Sequence, residues 1–330
     1  MPAPAGGPGA RSSTAAGRGI YLWYRGTAAL LRALPRPVAS AAAAGAALAL
    51  AVADPDQRRV VAGNLRRVLG PDVDEATLRR CVRAAYVSYG RYWADAARLD
   101  PADPELLERR WTVDGADRLL EAAAAGHGVV LALPHLGSWE IGGFWAASVG
   151  HPLTTVAEPV RPEALFRWFV AQREALGIRV LPLGGSTATE LATTLRAGGV
   201  VALLADRDVA GDGIEVELFG ATTRLPAGPA VLALRTGAAL LPCAVYHSRG
   251  DRHHAVIGSP IDVARRGRLR GDVERVTAAL ASELERLIER APEQWHVFQP
   301  NWPSASSTGG PLGTDGDDDA PAVPGDRAVS

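Results

Sequence analysis

An alternation of short apolar runs and helical patterns from residue 128 onward most constrains the fold of this chain. The apolar runs occupy residues 129–133, 153–157, 178–183, 200–205, 240–246 and 254–258. Helical patterns alternate with them at residues 139–148, 162–176, 187–196 and 228–235, and a last helix is predicted at 273–290. Buried parallel strands joined by helices have this pattern. The chain is therefore predicted to form an α/β domain with a mostly parallel central sheet flanked by helices.

The composition supports a real core and excludes several classes of function. The chain has 330 residues, a hydrophobic content of 47% and a net charge of −1, so no bulk charge attracts it to nucleic acid. It contains no lysine, which excludes Schiff-base and Walker-type phosphate lysines. Cys81 and Cys243 lie far apart and form no metal or redox motif. A reduced, cytosolic compartment is the simplest inference.

The two ends of the chain differ in composition from its middle. Residues 1–19 are rich in Ala, Gly, Pro and Ser and lack a hydrophobic period, which is typical of a disordered extension. Residues 304–330 are rich in Ser, Gly, Asp and Pro and read as a disordered acidic tail. One folded domain is therefore expected at residues 20–303.

Residues 20–53 have the composition of hydrophobic, membrane-associating helices. Trp23 and Tyr24 stand beside Arg25, and an uncharged, Ala-dominated stretch follows at residues 38–53. That stretch is short for a spanning helix, which needs about 20 residues. Two alternatives are left: helices that lie on a bilayer surface, or an ordinary helical pair buried against the domain. The aromatic residues beside arginine favour the bilayer surface.

The run Pro-His-Leu-Gly-Ser-Trp-Glu at residues 134–140 is the first candidate site. It joins the apolar run at 129–133 to a predicted helix, so His135 ends a strand and Glu140 lies in the first helical turn. Such a corner can bring an imidazole and a carboxylate within hydrogen-bonding reach, and a base oriented by an acid can deprotonate an alcohol. The alternative is a structural histidine followed by an ordinary helix-start glutamate.

A second polar cluster, Asp206, Arg207 and Asp208, follows the apolar run at 200–205. Because ligands bind at the carboxyl ends of strands in open α/β sheets, this cluster is expected at the same edge as His135. Arg224 precedes a predicted helix start, where backbone N–H groups favour anions. A loop held by a structural Asp–Arg pair is the alternative.

A third polar pair consists of Glu158, directly after the run at 153–157, and Arg173 on the following helix. By itself this pair predicts only a minor salt bridge.

Together these segments resemble the bacterial lipid acyltransferases that act late in lipid A synthesis, and among them the actinobacterial phosphatidylinositol mannoside acyltransferases. The resemblance extends from residue 20 to residue 302, with Ser138 standing where asparagine is common. The matching segments are residues 64–70, 90–93, 134–140, 157–160, 205–208, 225–229 and 295–302.

The resemblance implies transfer of a long acyl chain, with palmitoyl expected, from acyl-CoA to a mannose hydroxyl of a phosphatidylinositol mannoside. It also implies work at the cytoplasmic face of the cell membrane, with the membrane surface, the acyl-CoA donor and the glycolipid acceptor as partners. The co-substrate acyl-CoA is the only cofactor-like molecule expected. No metal is expected, because the seven histidines are dispersed and adjacent strand residues such as His253 and His254 face opposite ways.

The resemblance further implies roles for the candidate residues. His135 is the expected general base. Glu140 is the motif's candidate for orienting it, while Asp206 or Asp208 could share or take that role, and Glu215 or Glu217 is less favoured. Glu158 and Arg173 are expected to shape a substrate pocket. Arg207 and Arg224 are candidates for binding donor or lipid phosphates.

The mechanism expected from this set needs no covalent intermediate. Ser138 lacks the G-x-S-x-G setting of a nucleophile. Backbone N–H groups near Gly137 or Ser138 are plausible oxyanion donors. Competing interpretations are an acyltransferase with another acceptor, a hydrolase that gives the acyl thioester to water, and a non-catalytic lipid-binding protein.

Overall fold

The computed structural model of the protein describes residues 13–103, 105–209 and 211–302. The predicted extension at 1–19 lies outside this part at residues 1–12, and its residues 13–19 belong to the first helix. The predicted tail at 304–330 lies wholly outside. The first four helices are α1 (Ser13–Ala33), α2 (Arg36–Ala53), α3 (Pro55–Leu69) and α4 (Glu75–Arg98).

Local sequence signals account for the boundaries and the packing of these helices. Asp54 accepts a hydrogen bond from the backbone N–H of Gln57 at the start of α3, and Asp74 caps α4 in the same way. Gly90 lets α4 pack closely on α2, because a Cβ at that position would lie 2.5 Å from the carbonyl oxygen of Ala43. The helical pair is thus fixed by a glycine in the interface.

The rest of the described chain forms the α/β part. Its helices are α5 (Glu105–Arg110), α6 (Ala116–Ala124), α7 (Trp139–Ser148), α8 (Glu163–Ala175), α9 (Thr187–Arg196), α10 (Gly228–Thr236) and α11 (Leu269–Glu289). Its strands are β1 (Trp111–Asp114), β2 (Val129–Leu133), β3 (Leu153–Ala157), β4 (Ile178–Pro182), β5 (Val200–Leu204), β6 (Ile214–Leu218), β7 (Ala221–Leu225), β8 (Ala239–His247) and β9 (His253–Ile257). A short 3₁₀ helix spans Pro292–Gln294.

Seven of these strands form one sheet in the order β1-β9-β8-β2-β5-β3-β4. Every neighbouring pair is parallel except β8 with β9, which is antiparallel. Strands β6 and β7 form a separate antiparallel hairpin. The predicted fold class, a mostly parallel sheet flanked by helices, is confirmed.

Apolar side chains pack on both faces of the sheet. Strand β2 is buried at every position, as expected for a central parallel strand. The C-terminal segment after α11 also packs into the core, where Trp295 is 2% exposed. This segment returns to the carboxyl ends of the strands, since the backbone N–H of His296 donates to the carbonyl of His135 at 2.7 Å.

The two N-terminal helices present large apolar side chains to the surroundings. Trp23 and Leu22 on α1 are 63% and 56% exposed, and Val52 and Leu50 on α2 are 75% and 55% exposed. By length and composition alone, α2 is long and apolar enough to cross a membrane, and only 17% of this helix is buried. The alternative of a helical pair buried against the domain therefore does not describe these faces.

Candidate active site

The strand register places His135 next to Asp206. Strands β2 and β5 are parallel neighbours, and Leu133 pairs with Leu204 at their ends. His135 and Asp206 each follow two residues later, so the two side chains leave the sheet at the same edge. The carboxyl ends of parallel strands are where such folds hold their ligands.

Asp206 is fully buried and receives three hydrogen bonds on its carboxylate. His135 contributes Nδ1 at 2.6 Å from Oδ1 and its backbone N–H at 2.8 Å from Oδ2, and the indole N–H of Trp295 donates to Oδ2 at 2.6 Å. Burial acts to raise the pKa of the Asp206 carboxyl, but His135 and these hydrogen bonds outweigh burial and lower the pKa below its ordinary value.

This geometry fixes the tautomer of the His135 imidazole. Because Asp206 accepts from Nδ1, the ring carries its proton there, and Nε2 is left to accept a proton from a substrate. The imidazole is only partly exposed, at 22% of its side chain, and lines a cavity. An imidazole held in one tautomer by a buried carboxylate is equipped for general-base chemistry.

Glu140 does not orient His135, which corrects the role that the motif spacing suggested. Its Oε1 accepts from the hydroxyl of Tyr92 at 2.8 Å and from Arg173 at 2.9 Å. Burial, and then the charge of Glu140, raise the pKa of Tyr92 well above its ordinary value, so this phenol stays a donor. Burial lowers the pKa of Arg173, but Glu140 and Tyr92 outweigh it and raise the pKa. Glu140 therefore holds a cation in the cavity wall.

The backbone at Gly137 does not supply the expected oxyanion donors. Gly137 has a φ of 60°, and a Cβ there would lie 1.9 Å from the carbonyl oxygen of Val245, so only glycine fits. Its N–H donates to the carbonyl of Gln294 at 3.0 Å, and the N–H of Ser138 donates to Val245 at 3.2 Å. Both groups are engaged in holding the turn.

Ser138 is not positioned to act as a nucleophile. Its Oγ is buried, lacks a hydrogen-bond partner among the described residues and makes no capping bond, and the residue does not line the cavity. A serine without a neighbouring base is a poor nucleophile.

The predicted pair Glu158 and Arg173 is replaced by two other pairs. Arg173 binds Glu140, whereas Glu158 lies 3.6 Å from Arg207. Arg207 also donates to the side-chain oxygen of Gln299 at 2.8 Å. Glu140, Glu158, Arg173 and Arg207 all line the cavity, so the positions of Glu158 and Arg173 agree with the expectation that they shape a pocket.

Asp208 and Arg224 hold the loop that follows β5. The carboxylate of Asp208 accepts from the backbone N–H groups of Gly211 and Gly213 at 2.9 and 2.8 Å. Arg224 donates to the carbonyl of Gly213 at 3.3 Å and is not among the cavity-lining residues. Asp208 lines the cavity but is not seen to bind His135. Arg224 thus contacts the backbone of this loop, and neither the predicted Asp–Arg pair nor a place in the cavity wall is found for it among the described residues.

The cavity has a volume of about 690 Å³ and joins a polar end to an apolar interior. His135 and the four charged residues line the polar end. Small residues on α7, Gly142, Gly143 and Ala146, leave room between that helix and the sheet. The interior is lined by apolar side chains from several strands, among them Leu131, Leu153, Ile178, Ala202, Cys243 and Ile257.

The interior extends along most of the length of strand β2. Leu153 and Ile178 pair with each other, and Leu153 is level with Val200 and hence with Val129. Val129 lies six residues before His135 on the same chain path, which corresponds to roughly 20 Å. The cavity is thus a long apolar space with a polar, titratable group at one end.

Three residues of the site were not predicted as such from the sequence. Tyr92 and Trp295 bind the two buried carboxylates, and the side-chain amide of Asn301 donates to the backbone carbonyl of Asp206 at 3.1 Å. All three lie in the segments 90–93 and 295–302 that resemble the acyltransferases. That resemblance was the one sequence signal that could have pointed to them. Nothing in those segments indicated which side chain would reach the strand ends.

Known proteins are similar to this chain over most of its length. The family model of the bacterial lipid A biosynthesis acyltransferases matches residues 10–304. The phosphatidylinositol mannoside acyltransferase of Mycolicibacterium smegmatis is 40% identical over 278 residues, covering 83% of this chain and 88% of that protein. The protein of the same name from Mycobacterium tuberculosis H37Rv is 41% identical over 245 residues, covering 72% and 75%. The resemblance seen in the sequence is confirmed.

Proposed function

Because the chain belongs to the bacterial lipid A biosynthesis acyltransferase family, we propose that it transfers a long acyl chain from acyl-CoA to a mannose hydroxyl of a phosphatidylinositol mannoside. The observation that carries the proposal is His135, bound to the buried Asp206, at the polar end of a long apolar cavity. The acceptor is supported by the two mycobacterial relatives, which are both named phosphatidylinositol mannoside acyltransferase.

In the proposed reaction, His135 acts as general base. Its Nε2 takes the proton of the acceptor hydroxyl while the hydroxyl oxygen attacks the thioester carbonyl. Asp206 stabilises the imidazolium that forms. The C–O bond then replaces the C–S bond, and the proton passes from His135 to the departing CoA sulfur. A positioned general base contributes about 10²–10⁴-fold to such a step.

The apolar interior of the cavity suits the acyl chain of the donor. Its lining of aliphatic side chains and its extent of roughly 20 Å along β2 favour a long chain that ends with its carbonyl near His135. Palmitoyl is the chain that we propose. The reaction draws only on acyl-CoA as co-substrate, and no step calls for a metal or another cofactor.

The charged residues at the cavity mouth suit the polar parts of the two substrates. Arg207 is 22% exposed in its side chain, and its Nε is buried without a hydrogen-bond partner in the described chain. A guanidinium in this setting binds a phosphate well, which both CoA and the glycolipid carry. Glu158, half exposed beside it, suits sugar hydroxyls as a hydrogen-bond acceptor.

The exposed apolar faces of α1 and α2 suit the surface of a bilayer. Trp23 is an aromatic residue of the kind enriched at membrane interfaces, and α2 presents Leu50 and Val52. We place the enzyme at the cytoplasmic face of the cell membrane, because acyl-CoA is a cytoplasmic substrate and the glycolipid acceptor is anchored in the membrane.

The test is transfer of label from radioactive palmitoyl-CoA to dimannosylated phosphatidylinositol in detergent or vesicles. The wild type is compared with His135→Ala and with His127→Ala, a surface histidine that serves as the control. We expect labelled glycolipid from the wild type and the control, and a loss of about 10²–10⁴-fold for His135→Ala.

Two outcomes contradict the proposal. Release of CoA without labelled glycolipid indicates a hydrolase or another acceptor. Equal transfer by His135→Ala excludes the general-base mechanism.

A further inference from the structure

Three potential metal ligands meet away from the cavity that holds His135. They are Asp95 on α4, His247 at the end of β8 and His253 at the start of β9. The antiparallel register pairs His247 directly with His253, so the two imidazoles stand side by side on one face of the sheet. Their ligand atoms and that of Asp95 all lie within 4.8 Å of one another.

The distances within this cluster suit a small cation. The Nε2 atom of His253 lies 3.0 Å from Oδ2 of Asp95, and Nδ1 of His247 lies 3.5 Å from the same oxygen. Ligands about 2.0–2.1 Å from a tetrahedral zinc ion are separated by roughly 3.3 Å from one another. The cluster therefore needs little rearrangement to enclose an ion.

The buried ring of His247 is a further indication that this cluster binds a ligand. Its side chain is 3% exposed, and neither ring nitrogen has a hydrogen-bond partner among the residues that the structure describes. The backbone of Ser88 lies near the ring but outside hydrogen-bond geometry. A buried imidazole that makes no hydrogen bond costs free energy, so its presence calls for an explanation.

The protonation of His247 agrees with metal binding. Burial first, and then the neighbouring Arg91 and His253, lower the pKa of His247 well below its ordinary value. The ring is therefore neutral at physiological pH. Neutral imidazole is the form that ligates metals.

We propose that Asp95, His247 and His253 bind one divalent transition metal ion of the zinc type. Two imidazoles and one carboxylate are a ligand set that suits zinc, and three protein ligands leave one coordination position for water or an anion. His253 also lines a second cavity, of about 420 Å³, which provides an entry path for the ion.

Arg91 sets the outer surroundings of the proposed site. Its Nε lies 3.5 Å from Oδ2 of Asp95, while its terminal nitrogens donate to the carbonyls of Ser248 and Arg252. The guanidinium thus ties α4 to the turn between β8 and β9 and orients Asp95. The positive charge of Arg91 repels a cation, so the affinity of the site for the metal ion is expected to be lower than it would be without that charge.

The site differs from the expectation that no metal would bind, which rested on sequence spacing. None of its three ligands lines the cavity with His135, so the proposed reaction does not run through the ion. The ion would instead link α4, which carries Tyr92 of the active site, to the β8–β9 hairpin. Its predicted effect is on stability.

The experiment uses the full chain without a histidine tag, incubated with zinc or cobalt chloride and then freed of unbound ion by gel filtration. Metal content is measured by mass spectrometry, and cobalt coordination by visible absorption. The variants are His253→Gln and, as a matched control, His254→Gln. His254 is the adjacent residue, and it binds Thr112 and Asp114 on the other side of the strand.

We expect one equivalent of metal in the wild type and in His254→Gln. His253→Gln removes a direct ligand, so its affinity for the metal ion should fall more than it does when a residue behind a ligand is changed. Such changes typically lower metal affinity by about 10–100-fold. Zinc should also raise the Tm of the wild type and of His254→Gln but not that of His253→Gln.

Two results would overturn the inference. Absence of bound metal in folded wild type would mean that the cluster is only a hydrogen-bonded ion pair with Arg91. Equal retention of metal by wild type and His253→Gln would mean surface binding. If His253→Gln fails to fold, Asp95→Asn, which keeps the size of the side chain, replaces it in both measurements.

Discussion

Asp206 and Glu140 are two buried carboxylates, one bound to the cavity-lining His135 and the other lining the same cavity itself, yet they have different partners. Asp206 binds a titratable imidazole and an indole N–H, whereas Glu140 binds a guanidinium and a phenol. A carboxylate beside an imidazole can stabilise the positive charge that arises when the ring takes a proton. A carboxylate beside arginine is already neutralised by a permanent charge. In the proposed mechanism it is therefore the partner of the carboxylate that distinguishes Asp206, which takes part in the reaction, from Glu140.

The largest effect is expected from Asp206→Asn, which removes the charge that stabilises the imidazolium and keeps the size of the side chain. It should lower kcat by about 10²–10⁴-fold with little change in KM. Steady-state transfer kinetics measure this, with Glu140→Gln assayed alongside. If the two variants lose kcat equally at constant KM, the distinction between the carboxylates is wrong.

Glu140→Gln should act mainly on stability, because it leaves the partly buried charge of Arg173 without a counterion. A loss of about 3 kcal/mol in the free energy of unfolding is expected, measured by urea denaturation. The double variant Glu140→Gln with Arg173→Met should recover much of that loss, since both charges are then gone. A double variant that is no more stable than the single one would show that the pair does not act as described.

Trp295→Phe removes one hydrogen bond from Asp206 while keeping an aromatic ring in the core. A bond to a charged group contributes about 1.5–3 kcal/mol, so kcat should fall by about 10–100-fold if the effect is expressed in the transition state. Trp302→Phe is the matched control, because its indole donates to the carbonyl of Leu218 at 3.3 Å. Equal losses in both variants would indicate general damage to the core.

The smallest effect is expected on the stability of the folded protein at acid pH. The pKa of Asp206 is lowered from its ordinary 3.8 in the folded protein, so its contribution to stability is complete above that value. The contribution is lost as the pH falls through the lower folded pKa. Urea midpoints measured between about pH 2 and pH 5 should therefore fall more steeply for the wild type than for Asp206→Asn. Parallel curves would mean that Asp206 is not held ionised by its neighbours.

Much of the α/β part could be predicted from residue patterns. Strands β2 and β3 and helices α7 and α9 have the predicted bounds, because strand and helix periods are local properties of the chain. Strand β1 was not predicted, since it has four residues that alternate in burial and depends on pairing with β9. Helix α11 begins at Leu269, earlier than predicted, because its first turn is polar.

The residues of the candidate site could be predicted from the sequence, but which of them bind each other could not. His135 and Asp206 were both expected at one sheet edge, because both follow apolar strands. Their direct contact depends on β2 and β5 being neighbours in the sheet, although β3 and β4 lie between them in the chain. Glu140 is nearer to His135 in sequence, but the turn at Gly137, with its φ of 60°, leads the chain into α7, where Glu140 meets Tyr92 and Arg173.

The fold class, the family and the candidate residue His135 could all be predicted from the sequence, because these depend on local periodicity and on short motifs. The tertiary structure was needed to show that Asp206 binds His135, that Glu140 binds Arg173, and that Asp95 meets His247 and His253. The physical reason is that these contacts form between segments far apart in the chain. Strand order, register and helix packing bring them together, and no local pattern encodes those three properties.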